Sequence, residues 1–334
     1  MAAVLGIPGR TRPLVLLAVQ TLSVAAGYYA AGRLGLLRRL VAEEAVVSPV
    51  WPPTGVALAC LLVLGPRCVP GIALGALLVV ASLGPLRPAT AGVVLGNTAG
   101  PVCAYLMLRA AGFRTDLGKL RDGVLLVFLG ALTGMLVSAT AGAGLLALTG
   151  KLDPAGLPLV WLAWWVGDAM GVVIVTPLLL LLYGARRAPP RPARWGEAAG
   201  LTVIAGVLVP VATRSSVSVL FLVFPLLVWA ALRFRFAGSM LCALFASVLA
   251  TVAATDRTGP FAGLSEVEVM IKLQAFNGTM ALTALLLSAL ITEQRNTRRS
   301  VEEACQELVE ALEHLTAGDP PPRRPAGGDP DGPP

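Results

Sequence analysis

Very few residues in this 334-residue chain could do chemistry. A single histidine, His314, leaves little room for histidine-based acid–base or metal chemistry. The five cysteines, Cys60, Cys68, Cys103, Cys242 and Cys305, stand far apart or inside apolar stretches. They form no metal-ligand spacing, and their odd number argues against an oxidised framework. No catalytic residue, metal site or cofactor is therefore expected. One group stands out. Asp168, in Trp164-Trp165-Val166-Gly167-Asp168-Ala169-Met170-Gly171, lies near the middle of a long apolar run. A carboxylate at membrane depth costs ~2.5–3.5 kcal/mol on insertion scales, so it must face protein or water. It serves either a function or the plainer role of a hydrogen-bonded link between helices.

The elements that carry this residue follow from composition. Hydrophobic residues make up 56% of the chain and charged ones only 13%, with a mean hydropathy of +0.78. A soluble domain carries roughly 25% charged residues. A cytosolic enzyme, a disordered regulator and a disulfide scaffold are excluded together. The expected fold class is all-α, a polytopic membrane helix bundle of eight to ten transmembrane segments.

Ten apolar runs of 16 or more residues cover 13–31, 50–65, 69–84, 89–111, 123–149, 157–183, 197–213, 217–232, 236–255 and 269–292. The second and third are short, as are the seventh and eighth, and either pair could be re-entrant. Arg10 and Arg12 precede the first run as in a signal peptide, but the spans that follow favour a retained first helix. The net charge of +7 comes without basic runs interleaved with aromatics, so nucleic acid is not an expected partner. With the N-terminus inside, eighteen basic residues fall on the inner side and eight on the outer. That bias places both termini in the cytoplasm.

Under this topology the runs beginning at 50, 89, 157 and 269 all enter from outside. Asp168 lies eleven residues into its run, and Asn97 and Asn277 eight into theirs. At 1.5 Å per residue they sit about 12–17 Å below the outer surface. Trp51 opens the second run beside Pro52 and Pro53, where an interfacial aromatic anchor is the plainer reading. Together Trp51, Asn97, Asp168 and Asn277 outline an outward-facing polar cavity. Glycine pairs four apart, at Gly71/Gly75, Gly92/Gly96/Gly100, Gly130/Gly134, Gly167/Gly171 and Gly196/Gly200, are expected to let helices approach closely.

Several strings occur in a telling order. They are Ser48-Pro49-Val50-Trp51-Pro52-Pro53-Thr54-Gly55, Leu95-Gly96-Asn97-Thr98, Gly112-Phe113-Arg114-Thr115-Asp116-Leu117 and Val137-Ser138-Ala139-Thr140. The segment from Trp161 to Gly171 follows, then that from Phe224 to Phe234, and Gly259-Pro260-Phe261. From Leu14 to about Arg299 the chain resembles the bacterial membrane-associated sensor domain family, MASE, in its first-described type. The SPVWPP and WWxGDAxG strings are specific, and the rest would match many membrane proteins. The resemblance implies a sensory input module of about eight spans, typically fused to a cytoplasmic histidine kinase, diguanylate cyclase, cyclic-di-GMP phosphodiesterase or phosphatase. It supplies no ligand, so Trp51, Asn97, Trp165 and Asp168 are simply the motif positions to test first.

After Thr292 only 42 residues remain, without a GGDEF-type loop, kinase lid glycines or a phosphatase acidic cluster. The chain is thus expected to be an input module that acts on a cytoplasmic signalling protein in trans. His314, with no ATP-binding domain behind it, reads as a solvated helix residue. Val301, Cys305, Leu308, Leu312 and Leu315 step by 4, 3, 4 and 3, a heptad seam suited to that partner or to a homodimer. The expected organisation is a cytoplasmic N-terminus (1–12), a membrane sensor (13–292), a cytoplasmic helix (293–317) and a disordered Pro/Gly-rich tail (318–334).

The leading functional reading is a non-enzymatic sensory module of the bacterial plasma membrane, embedded in the lipid bilayer, that relays an unknown signal. The alternative is a small-solute or proton-coupled transporter, which a buried carboxylate and short paired spans would also suit. No internal repeat between 13–150 and 151–292 supports that alternative. A membrane-embedded enzyme would need more catalytic groups than one histidine and one deep aspartate.

Overall fold

The computed structural model describes residues 12–38, 40–42, 45–86, 88–185, 195–215, 217 and 219–316. The expected tail and all but the last residue of the expected N-terminal segment lie outside them. Ten α-helices carry the described chain: α1 (Arg12–Gly35), α2 (Pro52–Leu64), α3 (Val69–Ala81), α4 (Pro88–Ala110), α5 (Leu120–Leu125), α6 (Gly134–Leu148), α7 (Leu157–Ala185), α8 (Trp195–Arg214), α9 (Val223–Thr255) and α10 (Glu266–Thr316). A π-helical stretch, Leu126–Thr133, joins α5 to α6. One small departure from an all-helical fold is an antiparallel pair of three-residue strands, β1 (Leu40–Ala42) and β2 (Ala45–Val47), with Leu40 opposite Val47.

The termini of several helices follow from local chemistry. Pro52 and Pro53 open α2, where their missing amide protons cost nothing. A capping box opens α10: the Glu268 amide donates to the Ser265 hydroxyl, and the Ser265 amide donates to the Glu268 carboxylate at 2.8 Å. Among the described residues, seven helices are long and apolar enough to cross a membrane, joined by three shorter apolar ones, Pro52–Leu64, Pro66–Ala81 and Leu220–Phe234. The protein is a multi-pass membrane protein.

Two of the expected runs are short. Runs 50–65 and 69–84 yield helices of only 13 residues each, about 20 Å of rise. Runs 217–232 and 236–255 are continuous in backbone as one helix, yet the basic interruption divides it into two apolar segments, Leu220–Phe234 and Phe236–Thr255. The resulting 33-residue α9 is nevertheless folded sharply. A Cβ built on Gly238 would lie 3.1 Å from the carbonyl oxygen of Ala230. Those residues are about 12 Å apart along a straight helix, so the missing side chain at Gly238 marks the bend. Beside it, Arg233 pairs with Glu197 at the start of α8, while the far end of α8 meets Gly259.

The unit up to Ile291 packs α1 against α2 and α3, α2 against α4 and α7, α4 against α6, α6 against α7, and α9 against α7 and α8. Leu58, Leu61, Ile72, Leu108, Leu126, Met135 and Ile174 are fully buried at its centre. Exposed Leu14, Leu16, Val203, Val207 and Leu241 form the outward apolar surface that lipid would cover. Four of the five glycine sets sit at close helix contacts; Gly196 and Gly200 have open space beside them. The second unit begins at Thr292 and includes the last part of α10, with an Arg298–Glu302 ion pair one turn apart.

Candidate functional site

The segment from Ser48 to Gly55 and the segment from Trp164 to Gly171 form one structure. The Trp51 amide donates to the Gly167 carbonyl at 2.9 Å. The Thr54 hydroxyl donates to the Trp51 carbonyl at 2.8 Å and lies 3.1 Å from the Asp168 carbonyl. One turn further, the Thr176 hydroxyl donates to the Gly55 carbonyl at 3.1 Å. Glycine permits this seat. A Cβ on Gly171 would stand 2.7 Å from the Thr54 hydroxyl and collide with the Trp51 carbonyl, and one on Gly167 would collide with that of Ser48.

Against this seam lies a cavity of about 100 Å³ whose polar lining includes Tyr28, Ser48, Trp51, Asn97, Trp164 and Asp168. Half-exposed Leu83 forms part of its rim, so the cavity reaches the surface. Asp168 itself is fully buried. The Ser138 hydroxyl and the Trp164 side chain approach its carboxylate as donors. Neither completes a hydrogen bond of good geometry, and both carboxylate oxygens are left unsatisfied. The Tyr28 hydroxyl, also fully buried, is unsatisfied as well. Among the described residues, no cationic side chain pairs with Asp168. An unsatisfied buried polar group costs about 1–3 kcal/mol, and a charged one more, so each requires an explanation.

The remaining walls are placed by α4 and α6. Gly100 meets Ser138 and Gly96 meets Ala141, which brings the Ser138 hydroxyl to the Asn97 side-chain oxygen at 3.3 Å. Gly142 makes room for the Trp164 ring, since a Cβ there would stand 2.6 Å from it.

Of the residues singled out in the sequence, Trp51, Asn97 and Asp168 therefore line one cavity. Trp165 does not. Its indole donates to the Leu132 carbonyl in the π stretch at 2.7 Å, and its ring stacks on Trp161. Asn277 is fully buried with both side-chain polar atoms unsatisfied, but it is not part of this lining. Trp164, Tyr28, Ser48 and Ser138 were missed. Trp164 carried a readable signal, because it precedes Asp168 by four residues and so shares its helix face.

Helix α10 touches both halves of the seam. The Gln274 side-chain amide donates to the Pro49 carbonyl at 3.2 Å, and Gly278 lies beside Met170. Further along, Val301, Cys305, Leu308 and Leu312 are exposed on the same helix. Leu315 also falls within α10, but its side chain is outside the described residues.

Comparison with known proteins gives one assignment. The family model of MASE1, a membrane-associated sensor domain, matches residues 20–295. The chain belongs to this family. Comparison with curated proteins and with solved structures finds no match.

Proposed function

We propose that this MASE1 chain is a non-enzymatic input module in which occupancy of the Asp168 cavity is the signal and α10 is the output element. The observation that carries this reading is the contact of α10 with both sides of the cavity seam: Gln274 with Pro49, and Gly278 with Met170. A ligand that prefers one seating of α2 on α7 shifts the population of that seating. Helix α10 must follow, because packed interfaces switch between discrete arrangements more readily than they deform. The apolar strip of Val301, Cys305, Leu308 and Leu312 then presents the change to a cytoplasmic signalling protein or to a second copy of the chain. The excess of basic residues on the inner side supports cytoplasmic termini in a bacterial plasma membrane.

The test is partner capture and output in cells. Proteins crosslinked through Cys305 are identified, and the activity of the captured partner is followed in Asp168→Asn and Asp168→Glu variants. A changed set-point in Asp168→Asn supports the reading. Output indistinguishable from wild type in both folded variants refutes it.

A further inference from the structure

We infer that the cavity binds a small organic cation, a methylated ammonium group, paired with Asp168 and enclosed by aromatic rings. This rests on the sensory reading of the same site and names its ligand class. Four features point the same way. The Asp168 carboxylate is fully buried, faces a cavity and has both oxygens unsatisfied. Among the described residues no cationic side chain lines that cavity, so a charge on Asp168 has no counter-ion there. Three aromatic side chains, Tyr28, Trp51 and Trp164, share the lining, and ring electrons attract a desolvated cation at close range. The rest of the wall is largely aliphatic, with Ala76, Val79, Val80 and Val93 suited to N-methyl groups.

Size separates the candidate occupants. About 100 Å³ accepts an ion of a handful of non-hydrogen atoms or several waters. Metal ions fit poorly, because among the described residues no group of three His, Cys, Asp or Glu side chains stands together. Here one carboxylate, the Asn97 amide and two hydroxyls stand among rings and methyl groups. Ser138 already directs its hydroxyl toward Asn97. An ammonium ion instead needs one carboxylate and an apolar cage, which is what the cavity offers.

The experiment uses the full chain in lipid nanodiscs. Tryptophan fluorescence and calorimetry follow titration with methylammonium, trimethylammonium and tetramethylammonium chloride. Sodium chloride at equal ionic strength and neutral tert-butanol serve as controls. Saturable binding of at least one ammonium ion is expected, at least tenfold tighter than either control. It should weaken tenfold or more in Asp168→Asn, and about two- to thirtyfold in Trp164→Leu. Wild type alone decides the matter if either variant fails to fold: no saturable ammonium response overturns the assignment. A fluorescence change driven by pH alone, with no ammonium binding, makes the proton the occupant and also overturns it. If partner output still depends on Asp168 while no ammonium ion binds, the ligand class falls and the sensory reading stands.

Discussion

The close seat of α2 on α7 makes Gly171→Ala the most exacting perturbation available. A Cβ at this position would lie 2.7 Å from the Thr54 hydroxyl oxygen and 2.8 Å from the Trp51 carbonyl carbon. Ordinary contacts need about 3.5–4.0 Å, so the two segments must separate by roughly 1 Å. Overpacking of this kind costs about 1–3 kcal/mol. Separation also strains two hydrogen bonds, from the Trp51 amide to Gly167 and from the Thr176 hydroxyl to the Gly55 carbonyl, each worth about 1 kcal/mol. The sum is about 3–5 kcal/mol, a large part of typical folding stability. Unfolding is read by a thiol-reactive dye that reaches buried Cys68 and Cys242 only when the bundle opens, in a background with Cys60, Cys103 and Cys305 replaced by serine. Gly171→Ala should lower the midpoint on the order of 10 °C. The control is Gly206→Ala in α8, where nothing lies within 4 Å of the added atom. There alanine should be neutral or stabilising by about 0.5–1 kcal/mol, since glycine weakens a helix interior. Equal midpoints for the two variants would refute the close seat and every argument built on it.

Other substitutions separate the parts of the site. Trp165→Phe removes only the indole bond to Leu132, so it should lower stability by about 1 kcal/mol and leave ammonium binding unchanged in the same titration. Gln274→Leu breaks the tie to Pro49, so partner output should fall while ligand affinity holds; loss of both would mean that α10 shapes the cavity itself. Cys305 is the one exposed cysteine among the described residues, and mild oxidation in membranes should give a disulfide-linked dimer that Cys305→Ser abolishes. Monomer alone after oxidation would argue that the apolar strip serves a different protein. In proteoliposomes no Asp168-dependent uptake of methylammonium is expected, and such uptake would favour a transporter.

The helices were legible because they depend on one-dimensional quantities, hydropathy and residue count. Counting from the span ends brought Asn97 and Asp168 to similar depth with Trp51 at the outer edge, and the structure puts all three on one cavity. Depth fixes height but not the direction a side chain faces. Asn277 shares the level of Asn97 and still falls outside the lining for that reason. The same ambiguity decided between neighbouring tryptophans. Successive helical residues point about 100° apart, so Trp164 and Trp165 could not both face Asp168. The bend in α9 falls where the sequence ends one apolar run and begins the next, between 232 and 236, while the approach of Gly238 to Ala230 across it has no hydropathy signature. Tyr28 was overlooked because one tyrosine in an apolar helix carries no spacing signal.

The two specific strings of the sequence divide the labour of the site between rigidity and openness. Gly167 and Gly171 let backbone meet backbone, which fixes the height and direction of Asp168 between them. The price is a carboxylate held where no described donor satisfies it. A helical link between spans would not need that arrangement, because a serine or asparagine bonded across the interface serves at lower cost, as the buried Ser239–Ser288 pair does between α9 and α10. That contrast is the reason for assigning Asp168 to the proposed ligand site and not to helix packing. Moving a two-state balance from 1:99 to 99:1 takes about 5.5 kcal/mol of differential affinity. Cation–ring contacts worth about 0.5–2 kcal/mol each, added to one desolvated ion pair, reach that scale only if the cavity closes around its occupant. Closure can come from the rim at Leu36 and Leu83, at the ends of α1 and α3. The moving part is then the α1–α3 pair, and its closure on the occupant is what biases the seating of α2 on α7 that α10 follows. Crosslinking α1 to α3 should leave signalling intact, whereas crosslinking α3 to α7 across the rim should lock the output in one state.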